Sequence, residues 1–337
     1  MQGLLAGLYF RLGAGGRNAL TLYAIGQDCR RPVQVGMFDF GPLKPHEFFL
    51  WQDPQRPGRA LAFVALFATA PALIVLDVSE PAAPRELARW STALPPTETV
   101  AGRVLRNGLH SLSLSPDGRQ AYLALWDGGF QIVDTSDFAV AAPRPQVRSL
   151  TPPSRRLRYA PPAAGHTHSA VLVPGRQLVL LTDEVYAPAC PYGWLRVVDV
   201  SDPTRPRQAG EYRLPENDPA HCVDTVRRDG TFSAHNPLAL PHLALVSWHA
   251  AGLQAIDLSD PAAPRRSGMF VPAPVSGVAQ REPAFGPLPV VTWSYPIIQD
   301  GLVYVIDVDN GLYILRYTGA WAEEVAGTTF AEGNSNA

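Results

Sequence analysis

Lysine is almost absent from this chain of 337 residues, because Lys44 is its only lysine and arginine supplies the other positive charges. The 28 basic and 30 acidic residues leave a formal net charge of −2. Such a balance gives neither the basic field of a nucleic-acid-binding protein nor an acidic tail. We therefore expect no nucleic-acid partner.

Cysteine is also scarce, with Cys29, Cys190 and Cys222 as its three occurrences. Their spacing matches no CxxC metal site, and an odd number cannot form a complete disulfide framework. Cys190 and Cys222 fall in loops predicted to emerge on one face of the fold. A disulfide between them, which would need an oxidising compartment, and two free thiols stay open as alternatives.

Long uninterrupted apolar runs are missing as well. The longest, residues 60–78, is broken by Thr69 and Pro71, so no membrane span is expected. Residues 1–18 lack the charged, apolar and small-residue regions of a signal peptide. As written, the sequence predicts a cytoplasmic protein; a truncated N-terminus would instead be compatible with secretion or a surface location.

The chain is rich in turn-forming residues and contains an internal repeat. Its 34 prolines and 28 glycines disfavour helices and suit many turns. One cassette, apolar-x-apolar-apolar-Asp-x-Ser-Asp-Pro, recurs with small changes, and its aspartates are Asp77, Asp134, Asp199 and Asp257. Two weaker copies carry Ala24 and Arg316 in the Asp slot, which makes six units. We interpret the cassette aspartates as turn-forming residues.

Each unit divides into four short strands, and the third is a nearly continuous apolar run such as "LIVLDV". Four-stranded units in radial repetition form a β-propeller. The predicted fold is therefore all-β, a β-propeller with six blades favoured and five or seven as the alternatives. We predict one domain over residues 1–319, with an incomplete N-terminal blade, a disordered tail over 320–337 and a monomeric state.

The segments "LIVLDVSEPAAP", "LRVVDVSDPTRP" and "LQAIDLSDPAAP" resemble the LVIVD-repeat family, which takes its name from this third-strand motif. The resemblance implies a β-propeller, in a family often found on secreted or surface-anchored proteins and without a defined biochemical role. A weaker likeness links the chain to the selenium-binding and methanethiol-oxidase propellers. That second resemblance implies functional histidines near the central channel.

Histidine opens the first strand of successive units, and the first strand of a propeller blade lines the channel. These histidines are His46, His110, His166, His168 and His235. The polar residues expected around them on the same rim are Glu47, Asp127, Asp183, Glu184, His249 and Asp309. Imidazoles arranged around an axis can bind Zn, Cu, Fe or Mn, with the neighbouring carboxylates orienting the rings. The alternative is a structural histidine repeated by descent.

Two functions follow, and whether the protein is an enzyme stays open. One is a binding or scaffold propeller that presents the long loops 148–165 and 272–289 to a protein or small-molecule ligand. The other is a metal-dependent hydrolase or oxidase with its histidine cluster at the channel mouth. The sequence has no GxSxG, GxxxxGK[ST] or strand-linked GxGxxG motif, so no catalytic residue is assigned.

Overall fold

A computed structural model describes most of the chain. The described residues are 4–9, 18–26, 28, 30–67, 69–100, 102–153, 165–185, 191–218, 220, 222, 231–277 and 289–336. The chain divides into two compact units, residues 1–153 with 335–337, and residues 154–334. We call them unit 1 and unit 2 and describe each by itself. The single domain over 1–319 stays a prediction.

The described residues of unit 1 form three sheets, a hairpin and a short helix. Its sheets are β1 (Leu4–Tyr9), β2 (Ala19–Ala24) and β3 (Val33–Asp39); β4 (Pro45–Gln52), β5 (Ala60–Leu66), β6 (Leu73–Asp77) and β7 (Arg85–Trp90); and β10 (Ser111–Leu114), β11 (Gln120–Ala124), β12 (Phe130–Asp134) and β13 (Arg148–Ser149). The hairpin is β8 (Thr97–Val100) with β9 (Arg103–Arg106), and the helix is α1 (Ser136–Ala139).

The described residues of unit 2 form three four-stranded sheets. They are β14 (His166–Leu172), β15 (Leu178–Glu184), β16 (Leu195–Asp199) and β17 (Arg207–Tyr212); β18 (Pro237–Ala239), β19 (Leu243–Ser247), β20 (Leu253–Asp257) and β21 (Arg265–Phe270); and β22 (Ile297–Gln299), β23 (Leu302–Asp307), β24 (Gly311–Leu315) and β25 (Phe330–Ala331). Among its helical segments with described bounds are a 3₁₀ turn (Pro215–Asn217) and α2 (Ala322–Ala326). No helix in the described part of the chain is long and apolar enough to cross a membrane.

The four-stranded sheets are antiparallel. Four of them are simple meanders, and in the last one β25 pairs with β22 instead of β24. The third strands β6, β12, β16 and β20 are almost wholly buried, as their continuous apolar runs predicted. The turn after each third strand is fixed by its cassette aspartate. Asp77 accepts a hydrogen bond from the Ser79 backbone N–H at 3.0 Å and pairs with Arg85 at 2.7 Å. The cassette aspartates therefore serve the fold.

Two predictions need correction. The described residues form five four-stranded blades rather than the favoured six, because the N-terminal repeat yields only the three-stranded sheet β1-β2-β3. The segment 320–337, predicted to be disordered, contains α2 and β25. Val325 of α2 is buried in the apolar cluster of the last blade, and β25 pairs with β22. Burial of that valine supplies an order that the repeat motif does not encode.

Several predictions concern residues outside the described part. Cys29 and Cys190 lie there, and so do 154–164 and 278–288 of the two long loops. Cys222 is described, and it is disulfide-bonded.

Candidate metal centre

The repeat brings two positions of each blade to the same end of its sheet. The first is the histidine at the start of the first strand: the backbone N–H of His110 donates to Ala124 at 2.8 Å, and that of His235 donates to Ser247 at 3.0 Å. The second lies at the end of the second strand. Near the start of that strand one residue pairs with the cassette aspartate, and the position in question follows six residues later. This position holds Phe67, Trp126, Glu184 and His249 in successive blades (61 to 67, 120 to 126, 178 to 184, 243 to 249).

In unit 2 these positions form a cluster around Glu184, which we call the His–Glu cluster. Its members are Glu184, His168, His235 and His249, and all four are buried. Glu184 Oε1 lies 3.2 Å from Nε2 of His249 and 3.4 Å from Nε2 of His235. Glu184 Oε2 lies 3.6 Å from Nε2 of His168. Three imidazoles therefore turn the same ring nitrogen towards one carboxylate.

The other ring nitrogens have partners that hold the rings in place. Nδ1 of His235 lies 2.6 Å from the Trp293 carbonyl oxygen, which can only accept, so this nitrogen carries a proton. Nδ1 of His249 is 3.1 Å from Thr231 Oγ1, and Nδ1 of His168 is 2.8 Å from Ser169 Oγ. Because Nδ1 of neutral His235 carries the proton, the lone pair of this ring is on Nε2. Metal-binding histidines are oriented in this way.

The distances within the cluster are those of neighbouring ligands rather than of hydrogen bonds. A charge-assisted N–H···O bond spans about 2.7–2.9 Å. Neither carboxylate oxygen of Glu184 accepts a hydrogen bond from the described residues. Two ligands bound at about 2.0–2.1 Å in a tetrahedral shell lie about 3.4 Å apart. The ligand atoms of Glu184, His235 and His249 all lie within 4.8 Å of one another, so they can share one ion.

The walls of the cluster are aromatic and ion-paired. Trp293 stacks on His249 with 5.2 Å between ring centroids and contacts His235 at 4.0 Å. Asp183 was predicted on the rim, but its Oδ1 pairs with Nη2 of buried Arg196 at 2.5 Å. That pair compensates the Asp183 charge, so this carboxylate has a structural role. Glu184 is thus the carboxylate that faces the imidazoles.

Unit 1 contains a histidine pair of a different kind. His46 Nε2 lies 2.6 Å from His110 Nε2, so one nitrogen donates and the other accepts. Burial lowers the pKa of His46 to about 4. His110 stacks on Trp126 at 4.8 Å, and Glu47 comes closest to its other nitrogen, Nδ1, at 4.0 Å. The predicted residues His46, Glu47 and His110 are therefore brought together, and one ligand atom of each lies within 4.8 Å of the others.

The remaining predicted residues have other contacts. His166 begins β14 and pairs in register with Glu184, yet its side chain belongs to no group of converging ligand atoms in the described residues. Asp127 accepts a hydrogen bond from the Arg106 backbone N–H at 2.8 Å. The Asp309 backbone N–H donates to Asp307 at 3.2 Å in the turn after β23.

Two residues of the cluster were predicted in a lesser role. Glu184 and His249 were placed on the rim as orienting groups, and the structure makes them candidate ligands instead. A signal was present in the sequence, because the same position holds Phe67 and Trp126 in the earlier blades. A change from aromatic to ligating side chains at one repeat position marks the blades that carry the site.

Comparison with known proteins agrees with the architecture. The model of the LVIVD repeat matches residues 62–92, 111–140 and 192–213. The chain is therefore a β-propeller that contains LVIVD repeats, as the sequence predicted. No curated protein matches it.

Solved structures give the same fold at low identity. A periplasmic gluconolactonase of Pseudomonas aeruginosa is similar, with a TM-score of 0.55, 17% identity and coverage of 93% of this chain and 85% of that one. A hypothetical selenium-binding protein of Sulfolobus tokodaii has a TM-score of 0.51, 11% identity and coverage of 94% and 74%. At such identities the likeness concerns the fold alone, because one fold supports many functions.

Proposed function

We propose that this propeller is a metalloprotein whose His–Glu cluster binds one divalent transition-metal ion. Glu184 Oε1, His235 and His249 supply three ligands. His168 lies beside the other carboxylate oxygen of Glu184, Oε2. The observation that carries the proposal is the convergence of three Nε2 atoms on Glu184 at 3.2, 3.4 and 3.6 Å. These are ligand-to-ligand spacings, and the Nδ1 contacts already fix the rings for binding.

The ligand set indicates the class of metal. Imidazole with one carboxylate suits zinc, iron, manganese and copper, whereas an all-oxygen set would suit calcium or magnesium. A bound ion would also compensate Glu184, whose charge is otherwise costly at complete burial. When bound, such an ion supplies Lewis acidity or redox chemistry. A metal-dependent hydrolase or oxidase is therefore the enzyme class that this site supports.

A binding or scaffold role is a separate hypothesis. It rests on the loops 148–165 and 272–289, and much of both lies outside the described residues. The described part of the chain gives the metal site the stronger support, because its distances and ring orientations all serve the same coordination.

The test is metal content by mass spectrometry on untagged protein purified without chelators. We expect about one transition-metal ion per chain in the wild type and loss of that ion in Glu184→Gln. Glu86→Gln is the matched control, since it makes the same chemical change at a residue that belongs to no group of converging ligand atoms among the described residues. Absence of metal after incubation with Zn, Cu, Fe and Mn salts, or equal loss in both variants, would refute the proposal.

A further inference from the structure

The last blade of unit 2 differs from the others at its outer edge. In the other four-stranded blades the third strand pairs with a fourth: β6 with β7, β12 with β13, β16 with β17, and β20 with β21. The third strand of the last blade is β24, and among the described residues it pairs only with β23. The fourth strand of that sheet, β25, pairs with β22 at the opposite edge.

The complete blades share a charge pair across their outer two strands. The cassette aspartate of the third strand lies opposite the first arginine of the fourth in every case. The pairs are Asp77 with Arg85, Asp134 with Arg148, Asp199 with Arg207, and Asp257 with Arg265. Their N–O distances are 2.7, 3.8, 2.8 and 3.1 Å. Each of these blades therefore places opposite charges across its outer two strands.

In the last blade the residue at the position of the cassette aspartate has the opposite charge. Arg316, directly after β24, occupies the aspartate slot of the repeat and is exposed. No ion pair of Arg316 occurs within the described residues. An outer strand that began with arginine would be repelled here, whereas a strand with an acidic residue would find an opposite charge directly across. Charge complementarity of this kind determines which partner is accepted.

The edge also exposes apolar side chains in register with Arg316. Leu312 is 58% exposed and Ile314 is 55% exposed, and alternate residues of a strand share one face. Tyr313 on the other face contacts Phe270 at 5.0 Å between ring centroids. A cavity of about 300 Å³ adjoins the end of β24, lined in part by Phe270, Leu315 and Tyr317. An exposed apolar edge strand is a template for strand addition.

We propose that β24 binds an extended segment of a partner protein by antiparallel strand addition. The segment has an acidic residue opposite Arg316 and apolar residues opposite Ile314 and Leu312. The charge reversal favours a partner over a second copy of this chain, because the outer strands β7, β13, β17 and β21 all begin with arginine. The surface is independent of the His–Glu cluster, so either proposal can fail alone.

The test uses two fluorescent peptides derived from residues 265–271. Both carry Gly268→Val, which places an apolar side chain opposite Ile314. One keeps Arg265, and the other also carries Arg265→Glu. We expect the glutamate peptide to bind the wild-type protein at least about fivefold more tightly by fluorescence polarisation. Arg316→Asp should reverse that preference. Arg103→Asp is the control for net charge, since Arg103 is also exposed but belongs to β9, and it should keep the wild-type preference.

Amide hydrogen exchange then locates the binding. The glutamate peptide should slow exchange across residues 311–316 and leave β9 unchanged. The proposal is overturned if neither peptide binds at millimolar concentration, or if Arg316→Asp leaves the preference as it is. It is also overturned if the β24 amides are already protected in the free monomer, where the chain itself would cover the edge. Protection that appears only on dimerisation would assign the edge to a second copy instead.

Discussion

Glu184 Oε1 lies 3.2 Å from His249 Nε2, although the two residues come from neighbouring blades of unit 2. Glu184 ends β15, and His249 follows β19 in a turn with a φ of 23°. Trp126 occupies the equivalent turn of another blade with a φ of 40°. The repeat thus supplies the backbone geometry of this position. Where other blades have the aromatic residues Phe67 and Trp126, these two blades have the candidate ligands Glu184 and His249.

Metal binding should stabilise the folded chain. An ion that binds only the native state at about 100 times its Kd adds about 2.7 kcal/mol to the free energy of unfolding. We expect zinc to raise the Tm of metal-free protein by several degrees and to leave the Tm of Glu184→Gln nearly unchanged. Differential scanning calorimetry of wild type, Glu184→Gln and the control Glu86→Gln is the measurement. An equal rise in all three would place the zinc effect elsewhere.

The ion pair between Asp183 and Arg196 should be costly to break on one side. Both residues are buried, so Arg196→Met leaves Asp183 without its counter-charge and should lower the free energy of unfolding by about 3–5 kcal/mol. Arg89→Met is the control, because its pair with Glu86 is exposed and should be worth less than about 1 kcal/mol. Urea denaturation compares them.

A second variant separates charge from packing at this pair. Asp183→Leu combined with Arg196→Met removes both charges, so the double variant should recover most of the lost stability. A double variant as unstable as Arg196→Met alone would show that packing of the arginine stem, rather than its charge, is what matters.

Acid should weaken the fold through His46. Burial lowers the pKa of His46 to about 4, below the value of about 6.5 in an unfolded chain. The unfolded state therefore binds the extra proton first, and stability is full above pH 6.5 and falls as the pH drops towards 4. The slope is about 1.4 kcal/mol per pH unit for this one group. Urea denaturation between pH 7 and 4 should show a shallower loss in His46→Leu, and parallel curves would contradict the assignment.

The disulfide of Cys222 predicts one free thiol among the three cysteines. Alkylation of the denatured, unreduced chain should add one label, and alkylation after reduction should add three. Peptide mapping then decides whether Cys190 or Cys29 is the partner. Reduction should lower stability by about 2–4 kcal/mol. Three labels without reduction would contradict the disulfide.

The repeat explains why the fold was largely predictable from sequence. Each third strand carries its own turn chemistry, so Asp77 and Ser79 identify both the strand end and the turn that follows. The number of blades was harder to predict from the sequence. The N-terminal repeat lacks a first strand in the described residues, and β25 joins the last blade through burial of Val325 and pairing with β22. Neither feature has a signature in the motif.

The site was predictable in part, for a related reason. The histidine positions follow from strand starts, so His168 and His235 were found as candidate ligands. The role of Glu184 depends on how one blade packs on the next and on the irregular pairing between Thr167 and Ser169, which shifts the register beside it. A single sequence does not report such a shift. The sequence therefore indicated the rim and left open which carboxylate faces the imidazoles.

The most direct test of the metal centre is anomalous diffraction from crystals of the metal-loaded protein, collected on both sides of the absorption edge of the bound metal. We predict one anomalous peak within about 2.0–2.2 Å of Glu184 Oε1 and of Nε2 in His235 and His249. A peak at another site, or no peak in crystals loaded with zinc, copper, iron or manganese, would contradict the account.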